Sequence, residues 1–387
     1  MMNSESQSVM AIDLLWLRPG KVGGTEYYIR NLLDGFASLN EKFLFVLLVS
    51  KDNADTFRHY VKDDRFKLLE ANINSGNIAK RIIWQNLFQN RFLRKHGLKR
   101  CFEPVYCKPW LNGKIDYTCV IHDLQAYHYP EYHPLHEVIY SRICWKMDMW
   151  NAAQIIAISD WVRKDIEEKY KRNDIQVIYN PIVVKENDIV DFKELKSKYN
   201  IEKNGFFYTI GQMIPHKNIE TLINVMDRIV HDGYPLPDKL LITGINGSAK
   251  KDITKLIDSK GLNENVILTG YIDDLHRNTL YKFCKVFLFP SVFEGFGMPP
   301  VEAMLFGTTV ITTKRTSIPE VTQGKAVYVD DPYNEGEWIE KIMKAENHSN
   351  ELDFVVYQPK QIANQYLEVL VKNTRKTEKE MHKYEKR

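Results

Sequence analysis

A chain of 387 residues is long enough for two domains, and 44% hydrophobic with 27% charged residues is the make-up of a globular protein, not a disordered one. The formal net charge of +3 is too mild to imply a nucleic-acid partner. Five cysteines, Cys101, Cys107, Cys119, Cys144 and Cys284, without paired C-x2-C spacing, point to a reducing cytosol and against a zinc site or a disulfide framework. No stretch reads as a signal peptide and no window reaches the ~18 uninterrupted apolar residues of a spanning helix, so a soluble protein, or one lying on a membrane surface, is expected.

Residues 10–15 read as a first strand, Gly23-Gly24-Thr25 as a loop, and 26–39 as a helix with apolar Tyr28, Ile29, Leu32, Leu33 and Phe36. Further strands are expected at 43–49, 117–121, 154–158 and 176–179, with helices between them. Residues 79–100 are strongly basic, with Lys80, Arg81, Arg91, Arg94, Lys95, Lys99 and Arg100, no acid, and interleaved apolar residues. An amphipathic basic helix of this kind can make peripheral membrane contact on anionic lipid. The ordinary reading is a surface helix whose apolar stripe is buried inside the domain.

Short apolar strands alternating with helices make a parallel sheet covered on both faces. Asn180-Pro181 breaks the pattern and a polar stretch, 185–204, follows. The alternation then restarts, with strands at 206–210, 239–243, 266–269, 286–289 and 310–312 and helices at 218–229 and around 253–257. The fold class is therefore α/β, with two Rossmann-like doubly wound domains, expected at 1–183 and 184–356. In the remainder, 357–387, Ile362, Tyr366, Leu367 and Leu370 recur at helical spacing, and 372–387 reads as a frayed, solvated helix end.

Five places could carry chemistry. In Ser291-Val292-Phe293-Glu294-Gly295-Phe296-Gly297-Met298-Pro299-Pro300-Val301-Glu302-Ala303-Met304, the glycines and prolines forbid a helix before Pro300. Glu294 then lies in a loop and Glu302 in the first helical turn. A helix start has unpaired N–H groups and partial positive charge, so a diphosphate can lie between two carboxylates left free to bind hydroxyls. Gly23-Gly24 lets backbone approach a phosphate. His122-Asp123 follows a strand, where ligand sites of open sheets lie, with Asp123 as the expected orienter of the His122 ring. Lys217, in Gly211-Gln212-Met213-Ile214-Pro215-His216-Lys217, can neutralise a diphosphate. Tyr271 and Ile272 end a strand, Tyr271 as a ligand contact or as plain packing. No D-x-D triplet occurs, and no metal and no cofactor beyond the substrate are expected.

The run from Glu294 to Met304, followed by Phe306-Gly307-Thr308-Thr309-Val310-Ile311 and Ser317-Ile318-Pro319-Glu320-Val321, closely resembles the E-x7-E signature of retaining GT-B glycosyltransferases. It is most similar to family 4, which holds bacterial mannosyl- and glucosyltransferases. The resemblance extends over nearly the whole chain and implies two domains facing across a cleft, with the 357–387 helix crossing back to the first. It implies hexosyl transfer from a nucleotide-sugar donor to a glycan or lipid-linked acceptor in O-antigen or capsule biosynthesis, in the cytoplasm or on the inner face of its membrane. By the same resemblance His122 lies beside the reacting sugar, Glu294 grips its hydroxyls and Lys217 meets the diphosphate. Gly23, Gly24, Gly295, Phe296, Gly297, Met298 and Val301 line the donor, Glu302 holds the ribose, and backbone near Ile272 meets the base. Gln212 departs from the pattern, for relatives carry Arg there; Lys314 or Arg315 is the expected substitute. Two alternatives stay open. A sugar-nucleotide epimerase would turn over without acceptor, and a silent GT-B scaffold would bind no donor.

Overall fold

The computed structural model describes residues 8–105, 108–244, 247–345 and 351–384, of these 372–384 as backbone only. Cys107 and the side chains of 372–387 lie outside the described residues, and so does the expectation of a frayed, solvated end.

Each strand is followed by a crossover segment, so neighbouring strands run parallel. The first sheet comprises β1 (Ser8–Asp13), β2 (Phe43–Ser50), β3 (Phe66–Ala71), β4 (Arg100–Glu103), β5 (Asp116–Ile121), β6 (Gln154–Ala157) and β7 (Ile175–Val177), in the order β3-β2-β1-β4-β5-β6-β7. The second comprises β8 (Phe207–Ile210), β9 (Leu240–Thr243), β10 (Val266–Gly270), β11 (Val286–Phe289), β12 (Val310–Thr313) and β13 (Val327–Val329), in the order β10-β9-β8-β11-β12-β13. Both sheets are doubly wound, as expected. The chain divides into two compact units, 1–183 with 355–387, and 184–354. In each sheet the strand order reverses once, between β1 and β4 and between β8 and β11, and open α/β sheets bind ligands outside the carboxyl ends at such reversals.

Strand alternation sends Phe207 and Tyr208 to opposite faces of the second sheet. Phe207 packs with Leu222, Ile223 and Met226 of the helix Ile219–His231, whereas Tyr208 packs with Leu280 and Tyr281 and with Ala303 of the helix Met298–Leu305. In the first unit the helix Pro359–Tyr384 buries Ile362, Tyr366, Leu367 and Leu370. Its start crosses the helix Gly24–Ala37 at Gly35, where any Cβ would overlap the Pro359 carbonyl. The Tyr28 and Tyr366 hydroxyls hydrogen-bond at 2.8 Å between the same two helices.

Residues 79–100 depart from the expected buried stripe. They form a helix Ile78–Trp84, a π turn Gln85–Gln89 and a helix Asn90–Lys95, and Arg100 already belongs to β4. Arg81, Gln85 and Gln89 face inward, while Ile78, Ile83, Leu87 and Phe88 face water, Leu87 at 68% exposure. The cause is a set of buried carboxylates. Gln85 Nε2 donates to Asp13 Oδ2 at 3.1 Å, and Gln89 Nε2 donates to Asp13 Oδ2 at 2.9 Å and to Glu103 Oε1 at 3.1 Å. Asp13 and Glu103, fully buried at the ends of β1 and β4, need those donors more than the core needs another Leu.

Candidate functional site

At the β8/β11 reversal, β8 runs into Gly211-Gln212 and a 3-10 turn Pro215–Lys217, and β11 into the loop 290–297. The two meet at their charged residues, where Lys217 Nζ donates to Glu294 Oε1 at 2.5 Å. Glu294 is thus paired with Lys217 across the two loops. The pair keeps contact with water, at 18% and 13% side-chain exposure.

Short-range hydroxyl bonds fix the loop. Thr316 Oγ1 accepts from the Glu294 N–H at 3.1 Å, Ser317 Oγ bonds the Glu294 and Phe296 carbonyls at 2.9 Å each, and Thr313 Oγ1 donates to the Ser291 carbonyl at 2.6 Å. The Val292 N–H also bonds the His216 carbonyl at 2.9 Å, tying the loop to the Lys217 turn. Glu294 is therefore held on both sides of its peptide. Sequence reasoning quoted Ser317 as part of the signature without seeing this role.

The helix after the loop starts at Met298, not Pro300, so Glu302 lies beyond the first turn. Prolines at its second and third positions are tolerated because N–H groups there have no intrahelical partner to lose. They also subtract two of the four unpaired donors, leaving the N–H groups of Gly297 and Met298, since that of Val301 closes the first turn onto the Gly297 carbonyl. Gly297 takes φ 90°, a left-handed conformation suited to glycine. Phe296 and Val301 side chains are buried, so only their backbone, with that of Gly295, can meet a ligand. Glu302 Oε2 accepts from the Tyr281 hydroxyl at 3.0 Å, which leaves Oε1 without a protein partner among the described residues. Burial and the Glu302 charge push the Tyr281 hydroxyl well above its usual pKa, so it stays a donor.

Gln212 is exposed, with no side-chain partner among the described residues. Of its expected substitutes, Lys314 stands 3.7 Å from Asp330 and Arg315 is exposed. Ile272 packs on the core under β10. Tyr271 is 71% exposed, which rules out plain packing.

In the first unit, Gly24 opens the helix Gly24–Ala37, with Gly23 before it at φ 64°, so the helix begins two residues earlier than expected. Glu26 Oε2 accepts from the Gly20 N–H at 2.8 Å and braces the loop. His122 follows β5. Its Nε2 lies 2.8 Å from the Pro104 carbonyl, and its ring meets Tyr28 edge-on with centroids 4.8 Å apart. A carbonyl can only accept, so Nε2 carries the proton and Nδ1 the lone pair. Burial pushes the imidazole down to about 4, and it is neutral at pH 7. Asp123, the expected orienter, accepts from the Gln125 N–H at 2.9 Å, while Pro104 and Tyr28 hold the ring.

Beside His122, burial raises the carboxyl pKa of Asp13, and burial with the neighbouring Asp13 and Asp148 charges raises that of Glu103 well above the usual range. Asp148 is pushed up to about 8 by burial, against the opposing pull of Lys108 at 3.7 Å. Sequence reasoning missed Gln85, Gln89 and Glu103, for no local signal marks them. Among the described residues no group of three or more His, Cys, Asp or Glu could hold a metal ion, and no helix is long and apolar enough to cross a membrane.

Residues 191–378 match the family model described as Glycosyl transferases group 1. The chain is similar to O-antigen chain mannosyltransferase B of Escherichia coli, at 29% identity over 54% of this chain and 56% of that one. It is similar to the capsular polysaccharide biosynthesis glycosyltransferase CapM of Staphylococcus aureus, at 31% identity over 52% of this chain and 54% of that one. The chain spans a little over half the length of these curated relatives. Among solved structures, Anabaena Alr3699/HepE in complex with UDP and glucose superposes with a TM-score of 0.69 at 16% identity, over 94% of this chain and 99% of that one. Sucrose-phosphate synthase from Thermosynechococcus elongatus superposes with a TM-score of 0.68 at 16% identity, over 97% and 99%. These likenesses show the fold, which is the two-domain GT-B fold.

Proposed function

We propose, on the premise that residues 191–378 belong to the group 1 glycosyl transferases, that this protein is a retaining hexosyltransferase of cell-surface polysaccharide biosynthesis. It moves a mannosyl- or glucosyl-type group from a nucleotide-diphosphate sugar to a hydroxyl of a glycan or lipid-linked acceptor, in the cytoplasm or at the inner face of its membrane. The carrying observation is the Lys217–Glu294 pair at the β8/β11 reversal, next to a helix start. A diphosphate arriving there offers Lys217 a second anion, and Glu294 is released toward sugar hydroxyls. The resting pair is then a site that exchanges one anion for another. The mannosyltransferase relative and the UDP-and-glucose complex of the neighbour support the same reading.

As the anomeric carbon becomes cationic, charge builds on the departing phosphate, and preorganised donors stabilise it. In the second unit, Lys217 and the N–H groups of Gly297 and Met298 supply that field. Glu302 uses Oε1 for the ribose, and backbone at Ile272 meets the base. Neutral His122 accepts a sugar hydroxyl at Nδ1. No residue is placed as a covalent nucleophile, so the acceptor attacks the face the phosphate leaves and the phosphate takes its proton. Because protein groups supply the positive field, no divalent metal is required.

A thermal-shift screen against UDP-, GDP-, ADP- and dTDP-sugars identifies the donor, since a ligand stabilises the native state it binds. NMR of the first-formed product then tests the mechanism. Inversion at the anomeric carbon, or activity lost to EDTA and restored by magnesium, overturns it. A silent scaffold is the second reading, favoured by Gln212 in place of the Arg that the resemblance implies, and it predicts no shift with any sugar nucleotide.

A further inference from the structure

The apolar residues turned outward at 78–88 belong to a larger surface. In the helix Leu135–Asn151, Val138, Cys144, Trp145 and Met149 are buried, yet Leu135, Ile139, Ile143 and Trp150 face water, Leu135 at 74% and Trp150 at 72% exposure. At 3.6 residues per turn these four lie within an arc of about 80°, so the helix has an apolar stripe on its wet side as well as its dry one. The loop 108–115, which leads into β5, hydrogen-bonds both this helix and the 78–95 segment. The Trp110 N–H bonds Asn86 Oδ1 at 2.9 Å, Asn90 Nδ2 bonds the Leu111 carbonyl at 2.6 Å, and Asn151 Nδ2 bonds the Trp110 carbonyl at 2.9 Å. The loop presents Leu111, itself exposed, between them.

Exposed bases accompany this surface, namely Lys80, Arg91, Arg94, Lys95 and Lys146, and none of them makes an ion pair among the described residues. On the three elements the exposed carboxylate is Glu137 alone. We propose that Leu87, Phe88, Leu111, Ile139 and Trp150, with these bases, form one docking face for the surface of an anionic phospholipid bilayer. All five of these apolar residues are at least half exposed, and large exposed apolar patches are uncommon on monomeric proteins. A second copy of the same face would bring like charges together, whereas anionic headgroups would neutralise them, with the apolar residues seated at the acyl boundary and the tryptophans at headgroup level. The inverted helix serves this arrangement, because its amides are spent on Asp13 and Glu103 and its apolar residues are left outside. The proposal rests on the glycosyltransferase reading only for its purpose, bringing the enzyme to a lipid-linked acceptor; the binding itself needs neither donor nor acceptor.

The test is flotation of the full chain with vesicles of phosphatidylcholine alone and of phosphatidylcholine mixed with phosphatidylglycerol. Binding to the mixed vesicles, weakened by salt and accompanied by a blue shift of tryptophan emission, is expected. The pairs Leu87→Glu with Phe88→Glu, and Ile139→Glu with Trp150→Glu, should each weaken it by about tenfold or more, while sugar-nucleotide thermal shifts stay as in the wild type. Three results overturn the proposal: no binding to mixed vesicles, equal binding to both compositions, or an Ile139→Glu with Trp150→Glu variant that floats like the wild type. A dimer in light scattering that the same substitutions dissolve would assign the face to a second copy instead. A missing sugar-nucleotide shift with vesicle binding intact would sink the enzymatic reading and leave this one standing.

Discussion

The two strand-order reversals occupy equivalent places in two similar sheets and hold opposite chemistry. At β8/β11 a lysine and a carboxylate face each other in contact with water, on loops fixed by hydroxyls within about twenty residues of Glu294 in sequence. At β1/β4 two carboxylates lie in the dry interior with raised pKa values, capped by amides more than seventy positions from Asp13. The doubly wound topology makes a crevice twice. Whether it becomes an exchange site or a sealed polar core depends on what covers it.

The sharpest way to separate the two is Glu294→Gln. Its shape is kept while Lys217 loses its partner and the sugar its charged acceptor. Turnover should fall by about 10²–10³-fold, as when one preorganised polar contact is removed, with the urea midpoint little changed. Gln89→Leu should do the reverse. Asp13 and Glu103 each lose a donor in the dry interior, costing about 1–3 kcal/mol of stability in a urea titration, while calorimetry shows donor affinity intact. If Gln89→Leu weakens donor binding as much as Glu294→Gln lowers turnover, the division between the crevices fails.

A smaller gain is expected from Gln212→Arg, which adds a forked cation beside Lys217 and should tighten donor binding by about 1 kcal/mol in calorimetry. An unchanged affinity would mean that another cation, such as Arg315, already reaches the phosphate. The smallest effect on stability at neutral pH is that of His122→Gln. His122 is neutral in the fold down to about 4 and ordinary once unfolded, so the unfolded chain binds the extra proton and stability falls as pH drops from about 6.5 toward 4. The variant should show a flatter stability profile across that window, and an unchanged slope would mean the ring is hydrated.

Much of the β8/β11 crevice was legible because glycine, proline and hydroxyl residues cluster in two short runs whose backbone demands are local. Lys217 and Glu294 were each readable, but their pairing was not, since residues 77 apart meet only in the fold. The β1/β4 crevice was illegible for the complementary reason. Amides at Gln85 and Gln89 look like a wet face and Leu87 and Phe88 like a dry one until Asp13 and Glu103 are placed. The strands β3, β4 and β13 were missed because they are short or charged. In β4 the flanking Arg100 and Glu103 read as surface, whereas Arg100 donates to the Val9 and Leu370 carbonyls at 3.0 Å each.

The π turn at Gln85–Gln89 makes the phase of this segment hang on a single codon. Such a turn is a helix carrying one surplus residue, and cutting out Asn86 would wind it back to an ordinary helix, turning one end against the other by about 100°. Gln85 and Gln89 would then stand three positions apart, their shared grip on Asp13 would break, and the oily side would swing from the outside toward the flank. The deletion should therefore lower the urea midpoint far more than Asn86→Ala does, though both remove the same side chain. Point substitutions can retune what this segment touches, but a one-residue frame slip reassigns which of its sides is the inside.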